Sequence, residues 1–120
     1  MNRGTIARKA GATDIFEIHH IERQGQAVLV LAGDLDISTS RRLLEAARPL
    51  VGRFRDLVID LSRLGFVDSS GLEALWILRE EAHAVGRELL LIPGRDHVHR
   101  VFELTGLDAT FRFVDEAALR

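Results

Sequence analysis

Hydrophobic and polar positions along this chain switch between the period of a strand and the period of a helix. A strand-like pattern runs from Ile15 to Ile21, and a second apolar run covers Val28 to Ala32. The polar stretch between them, Arg23 to Gln26, predicts a turn that joins two antiparallel strands into a hairpin. We expect the second strand to end at the polar and glycine positions of Gly33 to Asp36.

Three amphipathic segments predict helices. In the first, Ser38 to Ser40 offer capping oxygens, and Pro49 is expected to kink the helix or end it early. The second helix is expected to run to about Val85, and a third to be capped by Asp96 and to end at Gly106. The apolar positions that should form one face of the first helix are Leu43, Ala47, Leu50 and Phe54.

Short continuous apolar runs indicate strands that are buried on both faces. One covers Leu57 to Ile59 and ends before Asp60, another covers Glu88 to Ile92, and Phe111 to Val114 fits a last short strand. The order of elements predicts an α/β fold with a mixed sheet of four to five strands. This sheet would start with a hairpin, continue through parallel crossover units and carry three to four helices.

The stretch VDSSGLEALW, Val67 to Trp76, joins a buried strand to the second helix. One serine suffices to cap this helix, which would leave the other hydroxyl pointing outward. A phosphoryl group at that position would meet free amides and the positive end of the helix dipole, and it would add about two negative charges beside Asp68 and Asp36. Plain helix capping and a phosphorylation switch both remain open on this pattern.

The second helix also predicts a docking surface. Its sheet-facing stripe would consist of Gly71, Leu75, Leu78, Ala82 and Val85. Glycine fits position 71 because a side chain there would collide with the sheet. Leu72 and Trp76 lie about 110° and 150° from the stripe, so we expect both to be exposed apolar anchors. The alternative is that Trp76 packs against a loop or the N-terminal segment.

Length and charge exclude several classes of protein. The 120 residues fit one domain, 14–120, preceded by a flexible arm, 1–13. With 16 basic and 18 acidic residues, the chain lacks the positive field that binds nucleic acid directly. It has no cysteine and no apolar run of membrane-spanning length, so we expect a cytoplasmic protein without membrane contact.

Three motifs, GDLDIST, LVIDLS and GFVDSSGLEAL, resemble the STAS family, specifically the bacterial anti-sigma-factor antagonists. The resemblance covers Ile15 to Val114. It implies that Ser69 is the phosphoacceptor, that Asp68 is its acidic neighbour, and that Asp36 fills the second acidic position of a G-[ED]-L-D turn. The residues predicted to bind the partner are Asp36, Asp68, Ser69, Ser70, Gly71, Leu72 and Trp76.

The family's mechanism implies protein partners and no catalysis by this chain. The unphosphorylated protein would bind an anti-sigma factor with serine kinase activity, which frees the sigma factor. Phosphorylation of Ser69 by that kinase would break the complex, and a serine phosphatase would restore it. Within the family, the alternatives are a subunit of a stressosome-type signalling complex or of a lipid-transport ATPase.

Two enzyme-like interpretations compete with this one. In a response-regulator receiver domain, Asp60 would accept the phosphoryl group while Asp34 and Asp36 bind magnesium. A D-x-D phosphatase could use the same LAGDLDIS segment. Both of these enzyme-like sites resemble ones that need a lysine late in the chain. The single lysine here is Lys9, near the start, which argues against both interpretations.

The histidines do not predict a metal site. His19 and His20 are adjacent in a strand, so they point to opposite faces. His97 and His99 are two residues apart in a helix and are expected on the surface. No metal, cofactor or catalytic residue is therefore predicted.

Overall fold

The computed structural model describes residues 15–119, so the predicted arm, 1–13, lies outside the described residues. Five strands form one sheet in the order β1-β2-β3-β4-β5, with β1 antiparallel to β2 and the other neighbours parallel. The strands are β1 Glu17–Arg23, β2 Gln26–Leu35, β3 Asp56–Val67, β4 Glu88–Ile92 and β5 Arg112–Phe113. The helices are α1 Ser40–Ala47, α2 Ser69–Ala84 and α3 Asp96–Thr105. This architecture confirms the predicted fold class.

The hairpin between β1 and β2 closes through a two-residue turn. Gln24 and Gly25 both have positive φ, 49° and 82°, and Arg23 pairs with Gln26 across the turn. Turns of this handedness match the twist of the flanking strands, which explains why so short a connection suffices. The predicted hairpin is confirmed.

The main core lies between one face of the sheet and the three helices. Alternate strand residues such as Leu29, Ile59 and Leu91 meet Leu43 of α1 and Phe102 of α3 there. The opposite sheet face carries a second, smaller cluster of Val28, Val58, Leu90 and Ile92. Both faces of the central strands are thus apolar, as the continuous hydrophobic runs predicted.

Strands β2 and β3 are both longer than the sequence predicted. Val30 pairs with Asp60 but Ala32 pairs with Arg63, so two steps on β2 match three on β3. Gly33 pairs with Leu64 and Asp34 with Phe66, which adds a second extra residue to β3. Such bulges bend the strand and interrupt its two-residue alternation.

The bulges explain two wrong predictions. Gly33 does not end β2, which continues to Leu35, and Asp60 does not follow the end of its strand. Asp60 lies in the middle of β3, is only 7% exposed, and its carboxylate accepts a hydrogen bond of 2.9 Å from the amide of Ser62. An acceptor aspartate of the receiver type would instead have to face solvent at the strand end.

The helix ends follow the sequence signals more closely than the helix starts do. Thr39 is the N-cap residue of α1, but its side chain makes no capping hydrogen bond, so the cap expected from Ser38 to Ser40 is wrong. α1 ends at Ala47, and Pro49 sits in the 3₁₀ turn Arg48–Leu50 that follows, so the early end is confirmed. Gly106 ends α3 with a φ of 78°, as a glycine cap should. The final turn, Glu116–Leu119, forms a short 3₁₀ helix. Asp96 is the first residue of α3, whereas Arg95 holds the cap position where an aspartate was expected.

Candidate functional site

The β3–α2 junction lies at the carboxyl edge of the sheet, directly beside the end of β2. Val67, the last residue of β3, is in register with Leu35, the last residue of β2. The amide of Asp68 then donates to the Leu35 carbonyl oxygen at 3.2 Å, which extends the pairing by one residue. The loops that carry Asp36 and Asp68 are therefore neighbours, as the parallel topology predicts.

Asp68 caps helix α2 with its side chain. One carboxylate oxygen, Oδ1, accepts from the amides of Ser70 at 2.9 Å and Gly71 at 3.2 Å. The Asp68 carbonyl accepts from the amide of Leu72 at 3.0 Å. The expectation that a serine would cap this helix is therefore wrong. The carboxylate also uses two of the amides that were expected to be free for a phosphoryl group.

Neither serine hydroxyl is used to cap α2, because the Asp68 carboxylate makes the capping hydrogen bonds. Ser69 is the first residue of α2 and is exposed, and Ser70 is half-buried. Within the described residues, neither hydroxyl makes a hydrogen bond. The Ser69 Oγ therefore faces solvent beside a fixed carboxylate, where another protein can reach it.

Gly71 lets α2 approach β2 and β3 closely. A Cβ at this position would lie 2.7 Å from Cγ of Leu35, 2.8 Å from the Leu35 carbonyl oxygen and 2.9 Å from Cγ2 of Val67. All three distances are shorter than real Cβ contacts. The predicted reason for a glycine here, a collision with the packed sheet, is confirmed.

Asp36 organises the neighbouring loop at the start of α1. Its Oδ1 accepts from the amide of Ser38 at 2.9 Å and from the Ser38 hydroxyl at 2.7 Å. Thr39 adds a contact of 3.2 Å to the same oxygen, and its hydroxyl donates to the carbonyl of Asp34 at 2.7 Å. The Ser38 hydroxyl bond, more than the other contacts, holds the pKa of Asp36 below its ordinary value. This loop thus presents a fixed negative charge at the same edge as Ser69.

An open cleft of about 510 Å³ lies beside the first turns of α2 and includes Ser69 in its lining. It is lined on the α2 side by Ser69, Ser70, Leu72, Glu73 and Trp76. On the opposite side it is lined by Thr105, at the end of α3, and by Leu107 of the 3₁₀ turn Leu107–Ala109. The second wall did not emerge from the sequence, because Thr105 and Leu107 lie on either side of a glycine that ends the helical period.

The two predicted apolar anchors differ in exposure. Trp76 is 44% exposed, as predicted. Leu72 is only 5% exposed, so the expectation that it faces outward is wrong. It packs into the main core and shows only its edge in the cleft. Val85, expected in the buried stripe, is 56% exposed instead.

The histidines occupy three different settings. His19 and His20 contact Glu17 and Glu22 respectively on the exposed strand β1. His97 is exposed, and its Nε2 donates to the carbonyl of Gly65 at 2.8 Å. His99, expected on the surface, instead packs edge-on against Phe113 with a buried Nδ1.

Neither a metal cluster nor a membrane span is found in the described part of the chain. No three acidic or histidine side chains come together there in a way that could hold a metal ion. Among residues 15–119, no helix combines the length and apolar character needed to cross a bilayer.

The comparison with known families decides the classification. The family described as Mlab, STAS domain, matches residues 19–115, which is most of the chain. The chain belongs to the STAS domain family. The resemblance predicted from the D-S-S-G and G-D-L-D motifs is confirmed.

Several relatives and solved structures that this chain resembles are anti-sigma-factor antagonists. The anti-sigma-F factor antagonist RsfB of Mycobacterium tuberculosis is 35% identical over 104 residues, covering 84% of this STAS chain and 83% of RsfB. The crystal structure of an anti-sigma factor antagonist from Mycobacterium paratuberculosis superimposes with a TM-score of 0.76 at 30% identity, covering 85% of this chain and 87% of that one. Unphosphorylated SpoIIAA, at 22% identity and a TM-score of 0.70 over 88% of this chain and 92% of that one, shares the fold.

Proposed function

We propose that this STAS protein is an anti-sigma-factor antagonist that is switched by phosphorylation of Ser69. In its unphosphorylated form it binds an anti-sigma factor that has serine kinase activity, and so regulates transcription that depends on a sigma factor. Phosphorylation of Ser69 by that kinase ends the interaction, and a serine phosphatase reverses it. The chain itself acts by binding and catalyses nothing.

The exposed Ser69 hydroxyl at the first position of α2 is the observation that carries this proposal. A helix-capping serine would have its oxygen engaged with backbone amides and so less accessible to a kinase. Here Asp68 holds the amides of Ser70 and Gly71 instead. The hydroxyl can therefore be modified while the helix keeps its capping interaction.

Charge explains how a phosphoryl group would change the surface. It adds a charge of about −1.5 to −2 at neutral pH. Asp68 is next to it in sequence, and Glu73 lines the same cleft. Among the described residues, no basic side chain lines that cleft, so none of the lining residues would neutralise the new charge. A partner fitted to the unphosphorylated surface would meet an uncompensated, hydrated dianion.

The proposed binding surface surrounds this serine. Asp36 and Asp68 supply fixed negative charges from two adjacent loops, and Ser70 lies at the cleft beside Ser69. Trp76 supplies exposed apolar area, while Leu72 contributes only its edge. Gly71 is buried, so we assign it the role of letting α2 approach the sheet closely rather than of touching the partner.

Intact mass after incubation with ATP tests the proposal. The protein is mixed with each purified anti-sigma kinase encoded in the same genome, beside the variants Ser69→Ala and Ser70→Ala. We expect a gain of one phosphoryl group in the wild type and in Ser70→Ala, and none in Ser69→Ala. Phosphorylation that survives in Ser69→Ala but not in Ser70→Ala would move the switch by one residue.

A failure of all kinases to modify the protein would refute the proposed switch. The chain would then be better explained as a STAS subunit of a stressosome-type complex or of a lipid-transport ATPase. Co-purification with subunits of either kind, unaffected by Ser69→Ala, would support that second function.

A further inference from the structure

We propose that the cleft between α2 and the α3 end is the docking groove for an apolar segment of the anti-sigma factor, and that this segment carries one basic side chain opposite Glu73. The proposal deepens the proposed function, on which it rests. It adds a second wall, Thr105 and Leu107, to the surface that Ser69 controls.

The lining selects the chemistry of the occupant. Leu72, Trp76 and Leu107 give the cleft an apolar floor and wall, and its volume of about 510 Å³ is large enough for several side chains. Trp76 is 44% exposed although large aromatic side chains are usually mostly buried. An apolar segment would remove this surface from water, and a central aromatic residue is the usual anchor of such an interface.

The charge of the cleft favours a basic protein segment over a phosphate-bearing ligand as its occupant. Within residues 15–119, Glu73 is the one charged residue that lines the cleft, so the complementary occupant is basic at that point. An anionic ligand such as a nucleotide is disfavoured because Asp68 already holds the amides of Ser70 and Gly71. No lysine or arginine in the described part of the chain lines the cleft to replace those donors.

Ser69 is one of the residues that line the cleft, so its phosphorylation would be coupled to occupancy. A docking segment that fills the cleft covers Ser69, and a phosphoryl group there would have to lose its water. A single basic side chain matched to Glu73 does not neutralise the additional two charges. We therefore expect phosphorylation to weaken docking at least tenfold.

A blocking substitution on the far wall tests the groove independently of the serine. Thr105 is exposed at the end of α3, so Thr105→Arg fills the cleft without disturbing the core. Ala109→Arg is the matched control, since it adds the same charge at an exposed position of the adjoining 3₁₀ turn but does not line the cleft. Binding of the purified anti-sigma kinases is measured by calorimetry for each variant, and urea midpoints confirm that each one is folded.

The single tryptophan provides a direct readout of occupancy. Labelling this protein with 5-fluorotryptophan gives one fluorine resonance, so tryptophans of the partner do not interfere. We expect the resonance to shift when the partner binds, Thr105→Arg to weaken binding at least tenfold, and Ala109→Arg to change it less than threefold. Glu73→Gln should weaken it by about two- to fivefold, in line with an exposed ion pair.

The outcomes separate this proposal from the proposed function. If Ser69 is phosphorylated and a kinase binds, but Thr105→Arg binds normally and the resonance stays in place, the groove proposal is wrong and the switch stands. If no kinase binds the wild type, both are wrong. A resonance that moves on dilution, or on removal of residues 1–13, would assign the cleft to a second copy or to the chain's own N-terminal segment and would also overturn the groove proposal.

Discussion

Replacing Gly71 by alanine should destabilise the protein, although glycine-to-alanine changes inside helices normally stabilise. In an ordinary helix interior, alanine gains about 0.8–1 kcal/mol over glycine. At position 71 the added methyl would lie 2.7, 2.8 and 2.9 Å from atoms of Leu35 and Val67. Overpacking of this kind costs about 1–3 kcal/mol. The cost of crowding should exceed the gain in helix propensity, because side-chain motion can relieve only part of the crowding.

The contact with the Leu35 backbone decides whether Gly71→Ala stabilises or destabilises the protein. The Leu35 and Val67 side chains can turn slightly, but the Leu35 carbonyl oxygen cannot, since it also accepts the amide of Asp68 at 3.2 Å. Relief therefore requires α2 to move away from β2. We expect a net loss of about 1 kcal/mol in the free energy of unfolding, and a fall of several degrees in the melting temperature.

Urea unfolding followed by circular dichroism measures this change, with the m-value checked for constancy. Gly65→Ala is the matched control, because a Cβ there would meet its nearest atom at an ordinary 3.5 Å and the position has no positive φ. The control should stay within about 0.5 kcal/mol of the wild type. A Gly71→Ala variant as stable as the wild type, or more stable, would show that α2 does not lie this close to the sheet.

Three further predictions address the charged groups around the site. Asp68→Ala should lower the free energy of unfolding by about 1 kcal/mol, because α2 loses its cap. Asp68→Asn should lower it by much less, because asparagine also caps helices. Equal urea midpoints for the two variants would contradict the capping role. The Ser38 hydroxyl bond lowers the pKa of Asp36 below its ordinary value of 3.8. The stabilisation that the ionised carboxylate provides is therefore fully present above pH 3.8 and is lost as the pH falls through the lowered pKa of the folded protein. Asp36→Asn should accordingly be less stable than the wild type at pH 7, with a gap that closes below pH 3.8, whereas a gap independent of pH would refute this. The exposed Arg48 and Glu81 side chains, 2.9 Å apart, should show almost no coupling in a double-mutant cycle of urea midpoints, and a clear coupling that persists at high salt would show that solvent screens them poorly.

Elements with strong local signals could be predicted from the sequence. Gly25 between two apolar runs, and Gly106 after an amphipathic stretch, mark a turn and a helix end because glycine readily adopts positive φ. The run from Glu88 to Ile92 matches β4 residue for residue. In each case the residues that determine the feature lie within a few positions of one another.

Features that depend on distant partners could not be predicted in the same way. The two extra residues of β3 make Leu61, Leu64 and Val67 recur every three residues, a spacing that belongs to neither a regular strand nor a helix. Only the pairing with β2 reveals that the strand continues. The expected end at Asp60 failed because the bulged part of the strand has no local signature.

The wrong placement of Leu72 has a similar cause. A helical wheel with one buried stripe assumes that the helix touches a single flat layer. α2 packs against α1 as well as β3 and β4, and it buries Leu72 and Ala74 in addition to the predicted stripe. The buried arc is thus wider than one stripe, and Trp76 remains outside it. The exposed aromatic was predictable from the wheel, whereas the width of the buried arc depends on the neighbouring helices.

The cap on α2 shows why an acidic residue before two serines matters more than either serine alone. A serine cap would tie its hydroxyl to backbone amides of the first helical turn, and a phosphoryl group would then compete for those donors. Because Asp68 occupies the amides of Ser70 and Gly71, a phosphoryl group on Ser69 would gain less compensation from the helix end and would lie next to a carboxylate that those bonds hold in place. Its charge would then act on whatever covers the cleft. In the proposed switch, the residue that leaves the Ser69 hydroxyl free is thus also the one that limits how far the helix end neutralises the added charge.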